Sequence, residues 1–165
     1  MDFKRVIKHL SVSEATVRRH FPRAALDNIE RAIAEVEQRC SGQVRFAVEH
    51  ALDWKPLMAG QTARERAIEV FTDLHVWDTE HNNGVLIYLL LADRDVEIVA
   101  DRGIHAKLGQ SVWESICKQM ESAFRQGDFE QGVIEGVNSV GKHLAEHYPQ
   151  VGSKTNELPD RPVLM

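Results

Sequence analysis

Residues 82–100 read Asn-Asn-Gly-Val-Leu-Ile-Tyr-Leu-Leu-Leu-Ala-Asp-Arg-Asp-Val-Glu-Ile-Val-Ala. A strand with one wet face alternates apolar and polar residues, but Val85 to Leu91 is apolar throughout. Such a run is predicted to be buried on both faces, at the centre of a sheet. It is also too short to cross a bilayer. Asp93-Arg94 is predicted to turn the chain back, making Val96 to Ala100 an antiparallel neighbour. The turn lacks glycine, so its type stays open.

Working outward, Val44, Phe46 and Val48 alternate with Arg45, Ala47 and Glu49, which predicts the first strand. Thr62 and Glu65 form a capping box for the helix between the two strands, which buries Ala67, Val70, Phe71 and Leu74. A helical crossover requires the strands it joins to be parallel. Before the first strand, Ser11 and Glu14 read as a capping box for a short helix stopped by Pro22. A second helix follows with Leu26, Ile29, Ile33, Val36 and Cys40 on one face, ended by Gly42. After the hairpin, Ser111 and Glu114 read as a third capping box, opening a helix that buries Trp113, Ile116, Cys117, Met120 and Phe124. The last helix buries Val133, Val137, Val140 and Leu144. Its Gly132, Gly136 and Gly141 each cost about 1 kcal/mol, and close approach to the sheet is the expected compensation. The predicted fold class is α/β, a small mixed sheet with helices on both faces. Residues 1–21 form a helical arm, 22–148 the α/β domain and 149–165 an extended or mobile tail with Pro159 and Pro162.

Composition narrows the function classes. The net charge is −5 and the basic residues are scattered, so a nucleic-acid partner is not expected. Residues 1–21 lack the apolar core of a signal peptide and no stretch is long enough to span a membrane, so the expected location is cytoplasmic. The basic residues Lys4, Arg5, Lys8, Arg18 and Arg19 of the N-terminal helical region read as a solvated face, with a membrane-surface role as the alternative. Cys40 and Cys117 fall on apolar helix faces and read as buried free thiols. No Walker A loop, Gly-x-Ser-x-Gly elbow or Cys-x-x-Cys is present, so nucleophilic catalysis has no evident seat.

The stretch from Arg31 to about Tyr148 resembles the TPM domain, found in bacterial envelope proteins and in a thylakoid-lumen protein of photosystem II repair. Four features carry the likeness. Ser41-Gly42-Gln43 precedes a Val-x-Phe-x-Val strand, and Asn82-Asn83-Gly84-Val85-Leu86 opens the central one. Asp93-Arg94 turns into Val96-Glu97-Ile98, and Phe124-Arg125-Gln126-Gly127-Asp128-Phe129 links two helices. The resemblance implies a three-layer Rossmann-like domain. It also implies divalent-metal binding and weak acid-phosphatase activity, which have been attributed to some members. This chain departs from the family in two respects: it lacks the signal peptide or membrane anchor that members often carry, and it has Asp101-Arg102-Gly103 where the family favours Gly-x-Gly.

Two polar clusters compete for a site. One end of the hairpin brings Asn82 and Asn83 near Asp101 and Arg102, flanked by Asp78, Glu80, His81 and His105. Asn82, Asn83, Asp101 and Arg102 are the expected ligand-binding residues, and Asp78, Glu80 and Asp101 the expected holders of a divalent cation, calcium or magnesium. Arg102 adds a fork for phosphate oxygens. The structural alternative is that Asn83-Gly84 makes a turn and Asp101 caps backbone. The other end collects Glu49, His50, Asp53, Asp93 and Asp95. It is the end that ligands favour in open α/β sheets. His143-Leu-Ala-Glu146-His147 has the letters of an inverted zinc motif but lacks an evident third ligand. The expected function is ligand or metal binding that works through a protein partner. The alternative is a weak metal-dependent phosphate-ester hydrolase.

Overall fold

The computed structural model describes residues 2–165. Three helices open the chain: α1 (Phe3–Ser11), α2 (Glu14–His20) and α3 (Arg23–Glu37). They are followed by β1 (Gln43–Glu49), the short α4 (Trp54–Met58), α5 (Ala63–Asp73) and the hairpin β2 (Gly84–Leu90) and β3 (Asp95–Ala100). Then come α6 (Arg102–Leu108), α7 (Gln110–Arg125), α8 (Phe129–His147) and β4 (Val163–Leu164).

The sheet order is β3-β2-β1-β4. β2 is therefore internal, and every one of its residues is buried, as its apolar run requires. β1 and β2 are parallel from Gln43↔Gly84 to Glu49↔Leu90, and β3 returns antiparallel from Leu90↔Asp95 to Val85↔Ala100. Helices cover both faces. Val44, Phe46, Val48, Ile87, Leu89 and Ile98 pack with α3, α7 and α8, while Ala47, Leu86, Tyr88, Leu90 and Val99 pack with α5, Leu57 and Val6. This is the mixed sheet with helices on both faces that the crossover predicted, and its three layers are those the resemblance implied.

The Thr62–Glu65 capping box is present, with Thr62 Oγ1 accepting from Glu65 N and Glu65 Oε2 accepting from Thr62 N. The other two expected boxes are not. α1 runs through Ser11, and α2 is opened by Ser13 with Thr16 as its reciprocal partner. α7 starts at Gln110, after Gly109 at φ 77°, because α6 already occupies the stretch before it. The α8 glycines do allow close approach, but to helices rather than to the sheet. A Cβ on Gly136 would lie 2.4 Å from Met120 of α7, and one on Gly141 2.4 Å from Val36 of α3.

The segment after Pro149 runs extended, one of the two expected readings, but it docks along the domain instead of lying free of it. Val163 and Leu164 pair in parallel with Ala47 and Val48 of β1. Gln43 and Arg45, the latter on the face opposite the alternating apolar residues, are buried beneath this strap. Gln43 Oε1 accepts from Glu157 N and Leu158 N, at 3.1 and 2.8 Å. Arg45 donates to the carbonyls of Pro159 and Arg161. Lys154 Nζ donates to the carbonyls of Glu37 and Gly42, at 2.9 and 3.0 Å. The physical reason is that buried polar groups must find partners, and here the strap's own backbone supplies them.

Candidate functional site

The hairpin register places the entry of β2 beside the exit of β3, so the backbone at Asn82 and Gly84 meets the start of α6. Asp101 N donates to Gly84 O at 2.9 Å, and Ile104 N to Asn82 O at 3.3 Å. Both asparagines hold backbone at this junction. Asn82 sits at φ 51°, a left-handed conformation that asparagine tolerates better than most residues. Asn83 is fully buried, its amide Nδ2 donating to Ser41 Oγ at 3.4 Å. Its Oδ1 is buried with no partner.

Asp101 is the N-cap of α6, its Oδ1 accepting from Arg102 N at 2.7 Å. The backbone-capping role is therefore real, but it uses one oxygen only. Asp101 Oδ2 is buried and unpartnered. Gly103 stands where a Cβ would lie 2.5 Å from Asn82 O and 2.9 Å from both His81 O and Tyr148 Oη. Glycine is thus required for the chain to close on itself here. Burial and the Asp101 charge raise the Tyr148 phenol above its usual range, and Lys107 Nζ lies 4.3 Å above its ring. A hollow of about 400 Å3 lies alongside, lined by Ser41, Glu80, His81, Gln150, Lys154 and Glu157 among others. Ser41 joins it to the Asn83 amide. Tyr148 and Lys154 were missed in the sequence because one ends a helix and the other belongs to a segment without periodicity.

The remaining expected residues are not gathered in. Arg102 is exposed. Asp78 and Glu80 are exposed on the loop before Asn82, where Glu80 N donates to Glu157 Oε2. Among the described residues no three His, Cys, Asp or Glu side chains are grouped to hold a metal ion. The expected convergence of Asp78, Glu80 and Asp101 is therefore not formed. The loop turns within itself, with Asp78 N bonding His75 O and Asn82 N bonding Thr79 O. The same finding leaves His143 and His147 without a zinc set. Cys40 and Cys117 are buried and free, and burial pushes the Cys117 thiol up to about 12.

The opposite end is largely occupied by the chain itself. Glu49 is forked by Arg66, at 2.9 and 3.1 Å, and receives the Tyr88 hydroxyl at 2.5 Å. Asp93 binds Arg5 at 2.9 Å, and His9 Nε2 lies 3.2 Å from it. His50 N donates to Met165 O. At the start of β3, Asp95 lies among the charges of Glu97 and Glu121. Burial first, then those charges, push its carboxyl up to about 6. This acidic edge also serves the sheet, because Glu121 accepts from Val96 N and Arg64 donates to Ile98 O. Those bonds blunt an edge strand that would otherwise pair with another chain.

The family model described as TPM domain matches residues 19–143. No curated protein gives a match. Among solved structures, the BA42 protein of the psychrophilic bacterium Bizionia argentinensis is 28% identical with a TM-score of 0.76, covering 86% of this chain and 93% of its own. The N-terminal domain of a P. gingivalis protein shares the fold at 18% identity and a TM-score of 0.60, covering 79% of this chain and 82% of its own.

Proposed function

This chain belongs to the TPM domain family, and from that premise we propose that it is a ligand-binding module acting through a protein partner rather than by chemistry of its own. Its ligand site is the hairpin end formed by Asn82, Asn83, Asp101 and Arg102. One observation carries the reading: two oxygens at that end, Asp101 Oδ2 and Asn83 Oδ1, are buried acceptors without partners. Folded proteins match such atoms with a donor, a water or an ion. A carboxylate and an amide oxygen near backbone carbonyls are hard ligands that suit a hydrated calcium or magnesium ion. With one central carboxylate, affinity is expected in the range of about 0.1–1 mM. Asp78 and Glu80 add negative charge on the adjoining loop, and Arg102 offers its fork to an anion that accompanies the cation.

A phosphate-ester hydrolase would need an activated nucleophile. Ser41 is the hydroxyl nearest the buried amide, and among the described residues no base is hydrogen-bonded to it. That favours binding over turnover.

The test is calorimetry with calcium, magnesium and inorganic phosphate on the parent and on Asp101→Asn. Asparagine keeps the helix cap, so the variant should fold. Cation binding in the parent that is lost in the variant supports the site. No cation binding in the parent, or equal binding in both, refutes it. Turnover of a phosphate ester by the cation-loaded parent, absent in Asp101→Asn, would establish the hydrolase instead.

A further inference from the structure

α1 shows two sides to different surroundings. Val6 and His9 are buried against the domain, and His9 Nδ1 accepts from Leu52 N at 3.0 Å. Phe3, Ile7 and Leu10 are spaced by four and three residues and so share another side. They remain 69%, 53% and 72% exposed. Three large apolar side chains in one exposed row on a nine-residue helix are a contiguous patch, not scattered singles.

We propose that α1 is an interfacial anchor that lays its Phe3–Ile7–Leu10 side into the surface of an anionic lipid bilayer. Charge identifies the occupant. Residues 1–23 hold six basic and two acidic side chains, whereas the rest of the chain holds fourteen basic and twenty-three acidic. The rest of the chain is therefore net acidic, and this region carries a net positive charge that an anionic surface attracts. Lys4 and Lys8 are exposed next to the apolar row and make no ion pair among the described residues. An apolar row edged by lysines is the pattern of helices that lie in the plane of a membrane interface.

The geometry also pre-forms the helix. Nine residues do not hold a helix alone in water. Here the Arg5–Asp93 ion pair and the His9–Leu52 bond fix α1 to the domain before any membrane is met. Trp54, 58% exposed and two residues beyond Leu52, adds an aromatic of the kind that settles at lipid headgroups, with Lys55 next to it.

The test is co-sedimentation of the full chain with vesicles of phosphatidylcholine alone and of phosphatidylcholine with phosphatidylglycerol in equal parts. Binding is expected to the anionic vesicles and to weaken in 0.5 M salt. Lys4→Gln and Lys8→Gln should each weaken it about fivefold. The double variant Phe3→Ser/Leu10→Ser should weaken it about tenfold or more, with an unchanged melting temperature because both side chains are exposed. The lysine variants give an independent reading should the serine variant fold poorly. Absence of binding to anionic vesicles, equal affinity for neutral ones, or undiminished binding by the variants would overturn the proposal. So would a dimer in solution that Phe3→Ser/Leu10→Ser dissociates, since a second copy would then be what covers the row.

Discussion

Replacing Glu37 by glutamine should change how the fold responds to pH. The Glu37 side chain is 5% exposed, near the end of α3 and beneath the strap. Its Oε1 accepts from Val44 N at 2.7 Å, and its Oε2 lies 3.4 Å from Lys154 Nζ. Burial outweighs both partners and raises the carboxyl from 4.5 to about 7. In the unfolded chain the group ionises near 4.5, whereas in the folded chain it keeps its proton to about 7. Between those values the folded state binds more protons, so stability falls as pH rises. The contribution is fully present below 4.5 and gone above about 7. That gap corresponds to about 3 kcal/mol. Glutamine resembles the protonated acid and still accepts from Val44. Urea unfolding of both proteins at pH 4 and pH 8 is the assay. The two should agree within about 1 kcal/mol at pH 4, and the glutamine variant should be more stable by about 3 kcal/mol at pH 8. Asp95 and Glu97, whose carboxyls are also raised, act in both proteins and cancel in the comparison. A difference that stays flat from pH 4 to pH 8 would refute the reasoning. A variant that loses ground at high pH would show that the Lys154 ion pair, not burial, governs this carboxylate.

Two further predictions concern the fold. Removing residues 152–165 should lower the melting temperature by many degrees, because Gln43, Arg45 and Lys154's acceptors lose the partners the strap provides; a change of a degree or less in a thermal melt would show that the strap does not dock in solution. Gly84→Ala should destabilise by more than about 2 kcal/mol, since its Cβ would fall 2.1 Å from Val76 O, a backbone atom that cannot swing aside; denaturant unfolding within about 0.5 kcal/mol of the parent would show that this close approach is absent.

How far the fold was legible depended on whether apolar residues made the contacts. β2 was legible because an unbroken apolar run has few uses other than a central strand. The faces of α3, α7 and α8 were legible because their buried residues repeat at helical spacing. The strap was not, because it is held through polar atoms and backbone. Its only trace was Gln43 and Arg45 on the second face of β1, and alternation by itself reads such residues as wet. α6 was hidden because its single buried residue, Ile104, gives no period. At the expected site, register brought the backbone of Asn82 and Gly84 against the start of α6 at Asp101 and Ile104. Asp78 and Glu80 stayed apart because their positions depend on turns within the loop, at His75 and Asn82, that sequence spacing does not specify.

The two ends of the sheet differ in what the chain has left unfilled, which bears on where a ligand belongs. In open α/β sheets the crevice beyond the carboxyl ends of the parallel strands is the usual site. Here that end is built over. Arg66 and Tyr88 satisfy Glu49, Arg5 from the N-terminal arm pairs with Asp93, and Met165 bonds His50. A ligand entering there would have to displace partners already made, each worth about 1 kcal/mol and more where charged. At the opposite end, Asp101 Oδ2 and Asn83 Oδ1 have no partner to lose. Filling them removes a desolvation cost of about 1–3 kcal/mol for each atom rather than adding one. The general preference for strand carboxyl ends rests on loops that leave room there. In this chain the N-terminal helix and the strap take that room, and the unmade hydrogen bonds lie at the other end of the sheet, which is why the proposed site is put there.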